Sequence, residues 1–543
     1  MRAFYRWLFL ASAVVASGLL ATALFAAESP APVSSATALP ATALPEPPEW
    51  EDAAFIEKLI GATAIDTLVN EKIALPPTLD QAAEHHATAL SLDAAVWQVL
   101  QNNLNLQSVR LAPEKSEQAV RAARAAFDPT FSASAGYDLL DHQHSGATET
   151  YGNAASGGVG ITEKLPTGTT VKVGADWNGQ AAAPRSRGEW ELSGAGSVTQ
   201  KLLKGRGLDI NLISVRQARL DAQISRYQLR DAVEDALAQT EDNYWDLVLA
   251  REAIVIRQEA LNLAGERLRE TEEKINVGKL APADIAQARG DVAEKFTNLL
   301  AARHDYDRFS LEMLARLNPS SRRFQPLAVA AMPVAPVVEL DRFRDHVALG
   351  LRERPDLNES RLRLQRGELE VKRTRDGLLP DLDLTITVGG GGGGSRAGWN
   401  WTNNDEFAVG GRLDFSQPLG RRQEKAAHRR AEIDAAQARL ALENLQLQIT
   451  VDIRLRYLSV KRYQREIATT ALAVKQYELA LVAMREKFRV GAATSLDVAT
   501  AELQYTESRL RAAQAVINTI KELTGLYRAD GSLLTRRGVR VEE

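Results

Sequence analysis

Residues 421–491 read RRQEKAAHRRAEIDAAQARLALENLQLQITVDIRLRYLSVKRYQREIATTALAVKQYELALVAMREKFRVG. Between Arg421 and Val490 there is no proline and no glycine, and the run stops at Gly491, the residue type that suits the left-handed turn after a helix. At ~1.5 Å per residue a helix over this stretch reaches about 105 Å, whereas an ordinary globular helix has ~11–12 residues. Leu442, Leu445, Ile449, Tyr457 and Val460 follow one another at steps of three, four, eight and three. Such spacing makes a narrow apolar seam against neighbouring helices, with the intervening Arg, Glu, Gln and Asp left in water. The segment just before has a different period. After Pro380 come Leu382, Leu384, Ile386 and Val388, interleaved with Asp381, Asp383, Thr385 and Thr387, and the chain returns through Phe407, Val409, Leu413 and Phe415 to Gln417. Period two gives strands with one apolar and one polar face.

The same order occurs earlier in the chain. Arg124 and Pro129 correspond to Arg375 and Pro380 at one constant spacing, which also matches Leu106 with Leu357 and Phe131 with Leu382. Trp190, Leu192, Val198 and Gln200 correspond to Phe407, Val409, Phe415 and Gln417. Further on, Tyr244, Lys274, Val277, Gly278 and Asp284 correspond to Tyr457, Lys487, Val490, Gly491 and Asp497. An ordered set of matches is the mark of an internal duplication. The first long run, 208–277, carries Leu229, Val233, Ala236, Tyr244 and Leu247 and has Gly265 as its one breaker. Each long helix ends at its glycine and a return helix follows, 281–317 and 494–526, making a helical hairpin. Pro282 suits the first turn of one return helix and Ser495 a cap on the other. The return helices have half the length of the outgoing ones, so helices over about 91–128, capped by Ser91, and 341–379 supply the rest.

The first half holds an insertion. Val159 and Ile161 alternate toward Leu165, Pro166-Thr167-Gly168 has turn chemistry, and Val171, Val173 and Trp177 alternate away from it. This reads as an extra hairpin, giving four strands from the first half and two from the second; a rim loop is the competing view, so the count is four or six per chain. The apolar strand face has two readings. A soluble sheet would bury it on a core, and a transmembrane barrel would turn it to lipid and its polar face to water.

The organisation along the chain is therefore an export signal at 1–27, a Pro/Ala-rich linker at 28–50, an N-terminal extension at 51–90, a first repeat at 91–317 with strands over about 130–200, a linker crossing the middle at 318–340, a second repeat at 341–527 with strands over about 381–416, and a tail at 528–543. Arg2 and Arg6 precede an apolar core from Leu8 to Phe25, with Ala26 and Ala27 at the cleavage site; a retained anchor is the alternative. No other stretch has ~18 consecutive apolar residues. Within 51–90, Phe55, Leu59 and Ile60 hint at a short helix.

Composition removes several functions. The 543 residues carry a net charge of −4 and 25% charged side chains, without the basic face of a nucleic-acid binder. With no cysteine, thiolate metal sites, disulfides and thiol nucleophiles are excluded. The glycine run 389–394 is followed by no Gly-Lys-Ser/Thr and reads as an outer loop, not a phosphate cradle. Asp141-His142-Gln143-His144 has a spacing a metal accepts but reads as an ordinary polar loop, and His85-His86 is weaker. No catalytic constellation is found, and no enzyme activity, metal or cofactor is expected.

These features resemble the TolC-like outer membrane efflux protein family: the duplicated helix–strand–strand–helix order, Arg-x-x-x-x-Pro before each first strand, Gln200 and Gln417 after each last strand, and Lys-x-x-Val-Gly at 274–278 and 487–491 followed by Asp284 or Asp497. The similarity spans about residues 80–527. It implies a mainly α fold with a β-barrel part, in which a homotrimer forms one outer-membrane barrel continuous with a long α-helical barrel in the periplasm. It implies a passive exit channel of a tripartite efflux or type I secretion system, served by a periplasmic adaptor and an inner-membrane pump. One chain's strands cannot close a barrel, and open sheet edges are not tolerated in lipid, so closure by copies is physically coherent. In the family, the tip turns (here Val277, Gly278, Val490 and Gly491) meet the adaptor, and Asp284 and Asp497 line or brace a constriction; both aspartates also suit helix caps. Phe488 and Ala493 stand where a tyrosine and an arginine would hold a closed tip, so Arg489 or Arg485 is the substitute expected here. The alternative is a periplasmic adaptor or coiled-coil scaffold with no barrel.

Overall fold

A computed structural model describes residue 76 and residues 88–142, 150–182, 189–318, 327–336, 338–394 and 406–540. The export signal, the linker at 28–50, nearly all of the 51–90 extension, His85-His86 and residues 143–149 lie outside the described residues. So do the side chains of Asp141 and His142.

Each repeat is built alike. In the first, α1 (Leu92–Asn102) and α2 (Leu104–Ala125) lead to strands β2 (Thr130–His142), β3 (Thr150–Lys164), β4 (Thr169–Ala182) and β5 (Glu189–Lys201). A short turn of helix, α3 (Leu208–Asn211), opens into α4 (Ile213–Asn276), and α5 (Asp284–Leu317) returns. In the second, α6 (Phe343–Glu353) and α7 (Pro355–Asp376) lead to β7 (Asp381–Gly394) and β8 (Glu406–Ser416), then α8 (Arg422–Arg489) and α9 (Ser495–Ala529). Two residues on each side of the middle, β1 (Thr88–Ala89) and β6 (Leu327–Ala328), pair in parallel, and α10 (Leu533–Arg536) closes the described chain.

The helix before each strand set is broken in two, a feature the sequence reading had as continuous. The breaks fall at equivalent places, Asn103 and Arg354, whose backbones leave the helix for extended conformations. In the second repeat Pro355 forces this, because a residue before proline avoids the helical region, while Pro355 itself fits the first turn of α7. In the first repeat the asparagine side chain does the work: Asn103 Oδ1 accepts the Leu106 N–H at 3.1 Å and caps α2. Each break residue also reaches the end of a return helix. Asn103 Nδ2 donates to the Arg316 carbonyl at 3.3 Å, and an Arg354 guanidinium nitrogen donates to the Ala529 carbonyl at 3.3 Å. Orphan carbonyls at a helix C-terminus need such donors. The duplicated joint thus stacks α2 on α5 and α7 on α9, using an amide in one copy and a guanidinium in the other.

Nearer the sheet the helices neighbour one another in the order α2, α4, α7, α8; in the far half the order is α5, α4, α9, α8. The seams pack at the middle. Leu106 and Leu357, matched by the repeat, are both buried, the first among Leu100, Val233, Leu237 and Leu534, the second among Ile449, Ile453, Val460 and Leu526. Tyr244 and Tyr306 fix the crossing linker: the Tyr306 hydroxyl donates to the Leu327 carbonyl at 2.7 Å, and the Tyr244 hydroxyl accepts the Ala330 N–H at 3.3 Å. The tail also belongs to this joint, through Leu533 and Leu534 in the core and Arg537 paired with buried Glu241 at 2.6 Å.

The six long strands form one antiparallel sheet in the order β2-β3-β4-β5-β7-β8. The inserted hairpin is β3–β4, so the first half contributes four strands and the second two. The glycine run 389–394 is a strand and not a loop: it is the far half of β7, paired from Gly389 with Ala195 to Gly394 with Trp190. Glycine is depleted from strands for lack of a side chain to pack, but there is little room for one here, since a Cβ on Gly391 would lie 3.0 Å from the Leu192 carbonyl oxygen.

Candidate functional site: the sheet wall and the helical tips

The sheet's two faces differ as the alternation requires. Opposed residues share a face in an antiparallel ladder. One such row runs Phe131, Ile161, Val173, Gly196, Val388, Val409. These side chains stay uncovered; Phe131 is 69% exposed and Val409 65%. The soluble reading needs a core on this face, and the structure places none there. Aromatic residues gather at the two ends of the same face, Tyr137, Trp177, Trp190 and Phe407 away from the helices and Phe131 and Phe415 beside them. Two such girdles flank the apolar band of a membrane barrel. Trp177 and Trp190 stack with ring centroids 5.6 Å apart, and Gly157 and Gly179 leave the space their rings occupy.

The polar face carries the charges. Asp381 and Asp383, odd in a lipid span, point to this side at the helix end, where Lys201 Nζ meets Asp383 at 2.8 Å and Asp381 at 3.2 Å, and Lys204 adds a second contact to Asp381 at 3.2 Å. These pairs tie β5 to β7 where the strands pass into helices.

At the far end the tips are matching turns. Gly278 and Gly491 have φ of +74° and +83°. The Lys279 N–H bonds back to the Lys274 carbonyl at 2.8 Å and the Ala492 N–H to the Lys487 carbonyl at 2.7 Å, the pattern that closes a helix C-terminus through a left-handed residue. Nothing lies within 4 Å of a Cβ built on either glycine, and Val277 and Val490 are 67% and 72% exposed. Both tip aspartates bond the turn ahead of their helix, and Asp497 alone takes part in a cap. Asp284 accepts the Ala281 N–H at 3.2 Å. Asp497 forms a capping box with Thr494, accepting its N–H at 2.9 Å and its hydroxyl at 2.7 Å, and these hydrogen bonds hold its carboxyl below the usual carboxylate range. The capping residue is thus Thr494 rather than Ser495, and Pro282 lies in the turn ahead of α5 rather than in its first turn.

The two arginines named from the sequence do not bridge the hairpins at the tip. Arg489 is exposed and pairs with Glu486 on its own helix at 3.0 Å. Arg485 pairs with Glu502 of the return helix α9 at 3.0 Å. The cross-link comes from residues the sequence reading passed over. Lys274 Nζ, on α4, donates to the Phe488 carbonyl at 2.6 Å and lies 3.3 Å from the centre of the Phe488 ring, at the C-terminus of α8; burial lowers its pKa. A cation is favoured at a helix C-terminus and over an aromatic face. Higher up, buried Arg267 of α4 bonds both Glu502 of α9 and Asp291 of α5. Burial pushes the Glu502 carboxyl up, against the pull of Arg267 and Arg485. The signal for Lys274 was its place in the duplicated motif; Arg267 had none, because nothing local marks which arginine of a long helix faces inward.

No group of three or more potential metal ligands occurs among the described residues.

The geometry has known counterparts. Residues 348–532 match the profile of the Outer membrane efflux protein family. Over 324 residues the chain is 22% identical to the outer membrane efflux protein BepC of Brucella suis, covering 60% of this chain and 68% of that protein. Among solved structures, the outer membrane channel CmeC of Campylobacter jejuni matches with TM-score 0.61 and 15% identity over 85% of this chain and 90% of its own. The outer membrane protein VceC of Vibrio cholerae matches with TM-score 0.61 and 16% identity over 84% and 99%. The open state of the MtrE outer membrane channel of Neisseria gonorrhoeae matches with TM-score 0.59 and 15% identity over 81% and 89%. The duplicated repeat, the membrane-type sheet and the profile match over residues 348–532 agree with one another, and the chain is similar to the TolC-like outer membrane efflux proteins.

Proposed function

We infer that the chain is an outer-membrane exit channel of an efflux system, and that it acts as a homotrimer. The observation that carries the trimer is the pair of unfinished edges on one copy. The sheet ends at β2 and β8, both unpaired on their outer sides among the described residues. The helical wall ends at the same edges, α2 and α5 on one side and α8 on the other. On α8, Ile433, Leu440 and Leu447, then Leu458, Leu472 and Leu479, recur at sevens or multiples of seven, each 45% exposed or more. One eighteen-residue window of α8 has a mean hydropathy of 1.2, yet 6% of it is buried. The opposite edge shows Leu104, Leu111, Leu300 and Leu311, also exposed. A heptad seam of large side chains in water is the surface of an unfinished helix–helix interface. Three copies joined edge to edge satisfy both the strands in lipid and this seam.

The apolar strand face then meets outer-membrane lipid, and the helices form a periplasmic duct. The exposed tip turns at Val277-Gly278 and Val490-Gly491 dock a periplasmic adaptor that joins the duct to an inner-membrane pump. Asp284, Asp497 and Arg489 lie near the narrowest point of the tips, where Lys274 and the Arg267 cluster hold each copy's two hairpins together. The chain supplies a conduit and no chemistry of its own.

Membrane fractionation tests this reading. The expected result is a heat-modifiable trimer in the outer membrane; a soluble monomer would favour the scaffold alternative. Photo-crosslinkers at 278 and 491 in the native envelope are expected to capture a periplasmic protein and not an outer-membrane one.

A further inference from the structure

We propose that the membrane end of the assembly is a closed wall of eighteen strands, six from each copy, with β8 of one copy paired antiparallel to β2 of the next, and that the β3–β4 hairpin sets its bore. This rests on the exit-channel reading above and specifies its pore.

The hairpin is part of the wall and not an appendage. β3 pairs with β2 from Thr130–Thr162 to His142–Thr150, and β4 pairs with β5 from Thr169–Gln200 to Gln180–Glu189. Its turn is fastened at the helix end: the Lys201 N–H donates to the Gly168 carbonyl at 3.1 Å and the Gly207 N–H to the Thr167 carbonyl at 3.0 Å. Its outward side chains, Ile161 and Val173, continue the apolar row of the other four strands. Direction permits closure. β2 leads away from α2, whereas β8 leads back into α8, so an even strand number brings antiparallel neighbours together at every copy boundary. In lipid no edge can stay open.

The wall also has a belt that is clear inside. One row across the polar face reads Ser132, Gly160, Gly174, Ala195, Gly389, Ala408. No side chain in it is larger than that of serine, while the neighbouring outward row holds Phe, Ile and Val. Strands ~4.8 Å apart and tilted about 40° give an eighteen-strand barrel roughly 35 Å between opposite backbones. Repeated three times, this belt adds almost nothing to narrow it. At this belt the outer-membrane end is therefore an open aqueous bore wide enough for bulky hydrophilic cargo, with Lys172, Asp176, Glu191 and Arg412 on neighbouring inward positions lending it charge.

The chain has no cysteine, so disulfide mapping has no background. Ser132→Cys is combined in turn with Gly410→Cys, Arg412→Cys and Asp414→Cys in the native outer membrane. Covalent dimers and trimers are expected from one of these inward-facing pairs, and are expected to be lost when Phe131→Cys replaces Ser132→Cys. An intrachain link between Ser132→Cys and Ser197→Cys would place β2 beside β5, with the hairpin outside the wall, and would overturn the proposal. So would a trimeric outer-membrane protein with no link in any of the three pairs. Failure to find a trimer in the outer membrane would instead remove the exit-channel reading itself. As a second readout, Gly160→Cys is expected to react from the cell exterior with impermeant maleimides carrying a bulky polymer as well as with small ones; reaction with the small reagent alone would contradict the open bore.

Discussion

Gly278 and Gly491 are needed for their backbone and not for their size. Both have positive φ with open space around them. Alanine at either position should therefore cost about 1 kcal/mol of local strain without a clash. Loosening of the turn then speeds amide exchange at Lys279 and Ala492 by about fivefold, measurable by hydrogen exchange and mass spectrometry. Exchange unchanged in both variants would show that the turns do not depend on glycine. Asp497 and Thr494 allow a complementary test. Thr494→Ala removes one half of the capping box and should fray the first turn of α9 by about 1 kcal/mol, again read as faster exchange there. The same residues show how far sequence reaches. The repeated Val-Gly pairs were legible as turns and Asp497 as a capping acid, because capping is local chemistry. The cross-hairpin contacts of Lys274 and Arg267 were not, because they depend on how two helices far apart in sequence are rotated about their axes.

The elements raise the question of what holds a long, thin wall together. Arg267 joins α4, α5 and α9 in one buried cluster. Removing one member of such a cluster leaves charge buried without a partner, at a cost of about 3–5 kcal/mol. Arg267→Ala should accordingly make the lower halves of α4 and α9 sensitive to protease while leaving the sheet intact; protection equal to the parent's would contradict the assignment. At the middle, Glu234 is 1% exposed, and burial pushes its carboxyl up to about 7 against the attraction of Arg230. The folded form thus keeps a proton that the unfolded chain has released above its ordinary value of 4.5. This contribution is fully present below that value and is lost as pH rises through about 7, on the order of 3 kcal/mol in all. Resistance to denaturant should fall from pH 5 to pH 8, and Glu234→Gln should flatten that slope. A slope unchanged by the substitution would place the titration elsewhere. The broken helices show a second limit of sequence. Pro355 announced one joint, but Asn103 looked like any polar helix residue until its amide was found capping α2 and the end of α5. The glycine run went unread as a strand for a related reason: its partners are residues 190–195 of the other repeat, and a strand without side chains has no period.

The molecule as a whole is legible in outline from its duplication. A strand pair and a hundred-ångström helix, met twice, are the parts from which the proposed trimer is built. The open edges β2 and β8 and the heptad seam on α8 are two parts of the same unfinished surface, and the uncovered apolar sheet face is left to lipid. Breaking the seam should act on assembly and not on the fold of a copy: Leu440→Lys with Leu447→Lys should convert the trimer to monomers in detergent, with helix content by circular dichroism unchanged. A variant that remained fully trimeric would remove α8 from the interface. The most direct measurement is cryo-electron microscopy of the particle extracted from the outer membrane, viewed along its long axis. One pore on a threefold axis, walled by strands at one end and by helices below, is the expected image. A particle of one copy, or three separate pores side by side, would contradict it.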